Sequence, residues 1–110
     1  MVSPTINIDG RIGTDVEYRK VGESAVARFR VITNDRKKVD DEWTDTNTTG
    51  WNVEIWGYHA DKVKAHLEKG DPVVITGIIF EDKWTGSDGT EKSSMLVKAD
   101  HVGLNVGRVK

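Results

Sequence analysis

Cysteine is absent from this 110-residue chain. Disulfide staples and thiolate metal sites are thereby excluded, and the composition suits a reducing compartment. Only two prolines occur, and no stretch reads as a linker between two cores, so a single domain is expected over residues 1–110, its core about 5–104 and a short tail 105–110. No apolar run approaches the roughly 18 to 20 residues of a membrane span, and no signal-peptide apolar stretch opens the chain. A cytoplasmic protein with no membrane partner is the expectation. A basic excess is also missing: 16 Lys and Arg stand against 18 Asp and Glu, a net charge of −2. That balance does not advertise nucleic-acid binding, although local patches rather than totals set the field a ligand meets. Large core-filling aromatics are scarce too, with two phenylalanines against four tryptophans. Cores of small domains are filled mostly with Leu, Ile, Val and Phe, so the tryptophans need another purpose.

Catalytic signatures are lacking as well. His59 and His66 stand seven apart, two helical turns or roughly 10 Å, too far to share an ion. No Ser, His and carboxylate spacing suggests a nucleophile, and no loop resembles a phosphate cradle. Neither an enzyme, a metal site nor a cofactor is expected.

What is present is strand pattern. Around Lys69 to Trp84 the chain reads K-G-D-P-V-V-I-T-G-I-I-F-E-D-K-W. Gly70 can take the left-handed conformation that ends a helix, and Pro72 forbids its continuation. Val73, Ile75, Gly77 and Ile79 then line one face of a strand; Val74, Thr76, Ile78, Phe80 and Trp84 line the other. Thr5–Ile12 alternates as a first strand. Asp15 to Glu23 is polar and reads as a loop. From Ala25 to Thr33, Ala25, Ala27, Phe29 and Val31 oppose Val26, Arg28, Arg30 and Ile32, a second strand. Asn34 to Gly50 is polar, and a solvated hairpin loop competes there with a flexible ligand arm. Trp51 to Trp56 forms a third strand. Tyr58 to Lys69 changes period, with Ala60, Val63 and Leu67 on one helical stripe. Thr85 to Thr90 is a glycine-rich turn, Ser93 to Asp100 a further strand, and Val102 to Val106 a possible edge segment. Three strands, a helix and two strands predict an all-β fold, a five-stranded Greek-key OB-fold barrel with one helix between strands three and four. Its expected core holds Ala27, Phe29, Val31, Val53, Ile55, Leu67, Val73, Ile75 and Ile79.

The segment Ala25-Val-Ala-Arg-Phe-Arg-Val-Ile-Thr-Asn34 resembles the second strand of bacterial single-stranded DNA-binding proteins. Gly10-Arg-Ile12, Glu54-Ile-Trp-Gly57, the helix with Lys69-Gly-Asp71, and Lys83-Trp84 follow in that family's order, so the resemblance spans roughly Ile6 to Leu104. It implies a homo-oligomer, a tetramer or a dimer, that binds single-stranded DNA without sequence preference in replication, recombination and repair at the nucleoid. Departures are specific. Phe80, Glu81 and Asp82 stand where the family carries arginines, Lys37 where it has an aromatic, and Gly50 where a stacking aromatic falls. The family's long linker and acidic, apolar-tipped C-terminus are not in this sequence, so replication and repair partners are expected only through a tail outside this chain.

Parity turns Trp56 out of the core, where the resemblance implies base stacking and the competing role is a subunit interface. Trp84 ends its strand on the non-core face beside a turn, with Phe80 on the same side. Trp51 has the parity of Val53 and Ile55, so core or interface competes with DNA unless a bulge at Gly50 turns it. Trp43 is placed between DNA contact and packing on its own loop. Phosphate candidates are Arg11, Arg28, Arg30, Arg36, Lys37, Lys38, Lys62 and Lys83; parity supports Arg28 and Arg30, resemblance alone the loop lysines. A primosome-type OB protein that docks on replication proteins, or an OB module for a protein or oligosaccharide partner, are the alternatives.

Overall fold

Alternating Val, Ile and Ala residues draw six strands into one sheet that curls until its first and third strands meet. The computed structural model describes residues 3–109; Met1, Val2 and Lys110, the ends of the expected domain and tail, lie outside the described residues. In chain order the elements are β1 (Thr5–Ile12), β2 (Glu17–Val21), β3 (Ser24–Val39), β4 (Glu42–Trp56), α1 (Tyr58–His66), β5 (Pro72–Thr85) and β6 (Glu91–Leu104), followed by a 3-10 turn at Val106–Arg108. The sheet runs β1-β5-β6-β4-β3-β2, and a further antiparallel β1–β3 pairing closes it. Five strands therefore make the barrel and β2 extends it beside β3, the OB-fold arrangement with α1 between its third and fourth barrel strands. Closure demands a close approach at Gly10, where a Cβ would meet the Ile32 carbonyl at 2.5 Å. Only glycine fits there.

The expected core is largely observed. Ala27, Phe29, Val31, Val53, Ile55, Val73 and Ile75 are buried, while Leu67 and Ile79 are partly buried and packed against them. Ala60 and Val63 of α1 are buried beneath the helix as its stripe predicts. The helix stops at Leu67, short of the expected Lys69, and Gly70 beyond it does adopt φ 98°. Its N–H donates to the Ile12 carbonyl at 2.7 Å, tying the chain to β1 rather than prolonging the helix.

Three expectations are corrected. Asp15 to Glu23 is not a loop throughout: Glu17–Val21 pairs antiparallel with β3. It was illegible because only Tyr18 of this strand packs on the core, its hydroxyl donating to Asp61. Asn34 to Gly50 is the solvated hairpin expected, but its arms are strands rather than loop, β3 and β4 remaining paired out to Val39 and Glu42. Asp40 and Asp41, at φ 52° and 64°, make its two-residue turn, the geometry that suits strand twist. Both hairpin faces meet solvent, so no apolar alternation betrays it. The last strand runs from Glu91 to Leu104 in one piece, absorbing the separate edge segment; a register irregularity lies opposite Thr76 and Gly77.

Candidate nucleic-acid interface

The outward face of β3 and β4 is built from cross-strand pairs. Val26 opposes Trp56, Arg28 opposes Glu54, Arg30 opposes Asn52 and Ile32 opposes Gly50. On the other side β4 runs parallel to β6, setting Asn52 beside Leu96 and Glu54 beside Lys98. In turn β6 carries Leu96 against Phe80, Ser94 against Asp82 and Lys92 against Trp84 of β5. Period-two alternation thus places polar, cationic and aromatic groups of four strands on one surface.

A groove of about 420 Å³ crosses this surface, with Arg28, Arg30, Asn52, Asp82, Trp84 and Leu96 among its lining residues. Asp15 and Glu17 line it as well. Carboxylates and guanidiniums therefore share the groove, and its field is mixed rather than uniformly positive. Trp84 is 46% exposed and also borders a second cleft of about 350 Å³ with Glu81, Lys83 and Lys92. An indole between two clefts offers an accessible face to a flat ligand.

Glu54 organises the β3–β4 end of the surface. It is the buried charged residue of the described chain, at 7% exposure. A buried carboxylate is costly unless its oxygens are satisfied. Here Oε1 accepts a hydrogen bond from Trp56 Nε1 at 3.2 Å, and Oε2 lies 3.3 Å from Arg28 Nη2. One carboxylate so orients both an indole and a guanidinium, whose own side chains reach solvent. Val26, although on the outward side, is buried between the strand neighbours Arg19 and Trp56.

The remaining candidates scatter. Trp51 faces inward as its parity indicates, half-buried against the core, with Nε1 donating to Thr33 Oγ1 at 3.0 Å. The bulge that would turn it outward is not at Gly50: the register slips between Thr33 and Asp35, which pair with Thr49 and Thr46. The extra residue is thus in 47–48, where Asn47 has φ 49°, beyond reach of Trp51. Trp43 stays 66% exposed on the hairpin, opposite Lys38, so packing on its own hairpin covers only part of it. Arg36 Nε contacts Asp45 at 3.2 Å and Lys38 contacts Asp41 at 3.8 Å; Lys37 pairs across from Thr44. Arg11 Nη1 donates to the Gly70 carbonyl at 3.2 Å, beside the helix end. Lys62 lines a different groove on α1 with His59 and His66. Phe80 is half-buried next to Leu96.

Asn52, Leu96 and Lys92 were missed as site residues by sequence reasoning. The outward parity of Asn52 was a usable signal. Leu96 and Lys92 joined the face only through the long-range β4–β6 and β5–β6 registers. Among the described residues no group of three or more His, Asp or Glu side chains could hold a metal ion, and no helix is long and apolar enough to cross a membrane.

Comparison with known proteins agrees with this geometry. The chain is 31% identical over 101 residues to a single-stranded DNA-binding protein of Corynebacterium glutamicum, covering 89% of this chain and 45% of that protein. It is 29% identical over 97 residues to the one of Treponema pallidum, covering 86% and 53%. The chain thus spans about half the length of these curated relatives. Among solved structures, a small single-stranded DNA-binding protein from Streptomyces coelicolor superposes with a TM-score of 0.87 at 25% identity, covering 99% of this chain and all of that one. The second single-stranded DNA-binding protein of Mycobacterium smegmatis gives 0.75 at 28% identity, with 99% and 95% covered. The single-strand binding protein family model matches residues 4–105, and with its barrel topology and its open aromatic face this chain belongs to that family.

Proposed function

We propose that this domain binds single-stranded DNA without sequence preference across the open face of β3, β4, β5 and β6, with no catalytic step, in replication, recombination and repair. The observation that carries the reading is the groove in which Trp84 shares walls with Arg28 and Arg30, with Trp56 held by Glu54 on the same sheet face. Such a surface suits the two faces of a single strand, since bases stack on aromatic rings and phosphates seek cations. Trp56 and Trp84 are the principal stacking groups, with Trp43 on the hairpin and Phe80 at the groove wall as secondary ones. Lys83 and Lys37 are the principal cations for the backbone, while Arg28, Arg36 and Lys38 share their charge with Glu54, Asp45 and Asp41 and contribute less. Trp51 faces inward and serves the fold.

Family membership also supports assembly of the chain into a homo-oligomer, a tetramer. Val74, exposed on the outward face of β5, is an apolar group suited to such a contact. Light scattering should give four times the chain mass of 12.3 kDa, and a mass of one chain would reject assembly.

The test is titration of intrinsic tryptophan fluorescence with oligo-dT. Strong quenching at micromolar DNA is expected because stacked bases meet the exposed indoles. An unchanged spectrum at that concentration would reject DNA binding in favour of an OB module for a protein partner.

A further inference from the structure

Gly50 is the one residue on the outward face of the β3–β4 pairs that offers no side chain, and its space is not empty. A Cβ built there would collide with Arg30, meeting Nε and Nη2 first and Cζ at 2.6 Å. The guanidinium thus occupies the space above Gly50, its Nε and Nη2 nearest. Its other end is fixed, Nη1 donating to Asn52 Oδ1 at 2.9 Å. Gly50 here needs no left-handed backbone; it is required for room. Arg30 remains exposed, and it lines the same groove as Trp84 and Leu96.

We propose that Arg30 is a base-stacking plate, seated on Gly50 and braced by Asn52, and that it meets a nucleobase rather than a phosphate. The inference rests on the DNA-binding reading above. Three physical points carry it. A guanidinium is planar, delocalised and weakly hydrated, so it stacks on flat rings as an ammonium cannot. It contacts the sheet in the space above Gly50, and the rest of the exposed group lines the groove beside Trp84 and Leu96. Gly50 leaves room for this rotamer and the hydrogen bond to Asn52 holds it before any ligand arrives, so less entropy is lost on stacking. A phosphate contact needs none of this seating, because a flexible solvated cation serves it as well. Arg28 differs in that its guanidinium already faces the Glu54 carboxylate. Because Asn52 Oδ1 accepts from Arg30, the amide nitrogen of Asn52 is left to donate to an acceptor on the base edge. Every base carries an acceptor on its edge, so that donor is compatible with binding without sequence preference.

The experiment compares Arg30→Lys, Arg30→Ala and Gly50→Ala with the parent on oligo-dT and on an abasic oligomer of equal length, from 50 to 200 mM salt. Arg30→Lys keeps the charge and removes the plane, so oligo-dT binding should weaken about threefold to tenfold with an unchanged salt slope. On the abasic oligomer Arg30→Lys should match the parent. Gly50→Ala displaces only the end of a flexible side chain, so folding should be retained while binding falls as in Arg30→Lys. Arg30→Lys combined with Gly50→Ala should be no worse than either single change, the non-additivity of two residues acting as one. Parent-like oligo-dT binding by Arg30→Lys would overturn the proposal; if Arg30→Ala then also flattened the salt slope by about 0.7, Arg30 would be a phosphate contact. Equal losses on both oligomers would overturn it too. Failure of the parent to bind oligo-dT would reject the DNA-binding reading itself, and this inference with it.

Discussion

Asp82 is the carboxylate whose reversal reports most directly on where the strand runs. It lies in the groove with Arg28, Arg30 and Trp84, exposed, opposite Ser94 on β6. Substitution to arginine breaks no ion pair found in the structure, so stability should change by less than about 0.5 kcal/mol. A phosphate about 7 Å away interacts with a unit charge in water by about 0.6 kcal/mol. Exchanging a negative for a positive charge doubles this to about 1.2 kcal/mol, and screening over a Debye length of about 10 Å at 0.1 M salt halves it again. Asp82→Arg should therefore tighten oligo-dT binding about threefold near 0.1 M salt. The slope of log K against log salt should steepen by about 0.7, the share of one further phosphate on a single strand. Fluorescence titrations from 50 to 200 mM salt measure both. Glu23→Arg is the control: it makes the same change to the net charge of −2 from the β2–β3 turn. If Asp82→Arg leaves affinity and slope at parent values, or Glu23→Arg tightens binding equally, the strand does not follow this groove. The parent's own slope should be shallow, on the order of two phosphates per subunit, because carboxylates share the face and Arg36 and Lys38 already have acidic partners.

Trp56→Ala and Trp84→Ala should each weaken oligo-dT binding by about 1–3 kcal/mol with the far-ultraviolet spectrum retained; parent-like binding by either removes that residue from the interface. Trp51→Phe should bind as the parent does but lose about 0.5–1.5 kcal/mol of stability in urea, for want of the hydrogen bond to Thr33. A binding loss like that of Trp56→Ala would show that its ring reaches DNA. Ile75→Ala, at a fully buried position of β5, should cost about 2–5 kcal/mol in the same denaturation; a loss below 1 kcal/mol would contradict the barrel core. Asp88 accepts the Thr90 N–H at 3.0 Å, which holds its carboxyl below the usual range. That contact should persist above the ordinary carboxylate pKa and be lost as pH falls through the lowered value, seen as a shift of the Thr90 amide resonance; a flat amide shift through that range would exclude the contact.

The sequence by itself determined whatever depends on local period. Ala27, Phe29 and Val31 alternate with Arg28 and Arg30, and a strand has only two sides, so core and outer face followed from parity. The same rule turned Trp56 outward and Trp51 inward, and the stripe of Ala60 and Val63 set the helix on the barrel. Segments that bury little carried no such signal. β2 and the outer β3–β4 hairpin are held by backbone pairing, and hydrogen bonds between main chains leave no mark on side-chain composition. Only the tertiary structure decided which outward residues meet. The parallel β4–β6 register brought Leu96 beside Asn52, and the β5–β6 register brought Trp84 and Asp82 to the groove that Arg28 and Arg30 line. It also gave Glu54 its burial, and filled the space above Gly50 with Arg30. Those contacts join residues far apart in the chain, and their partners are fixed by how the barrel closes rather than by any neighbour in sequence.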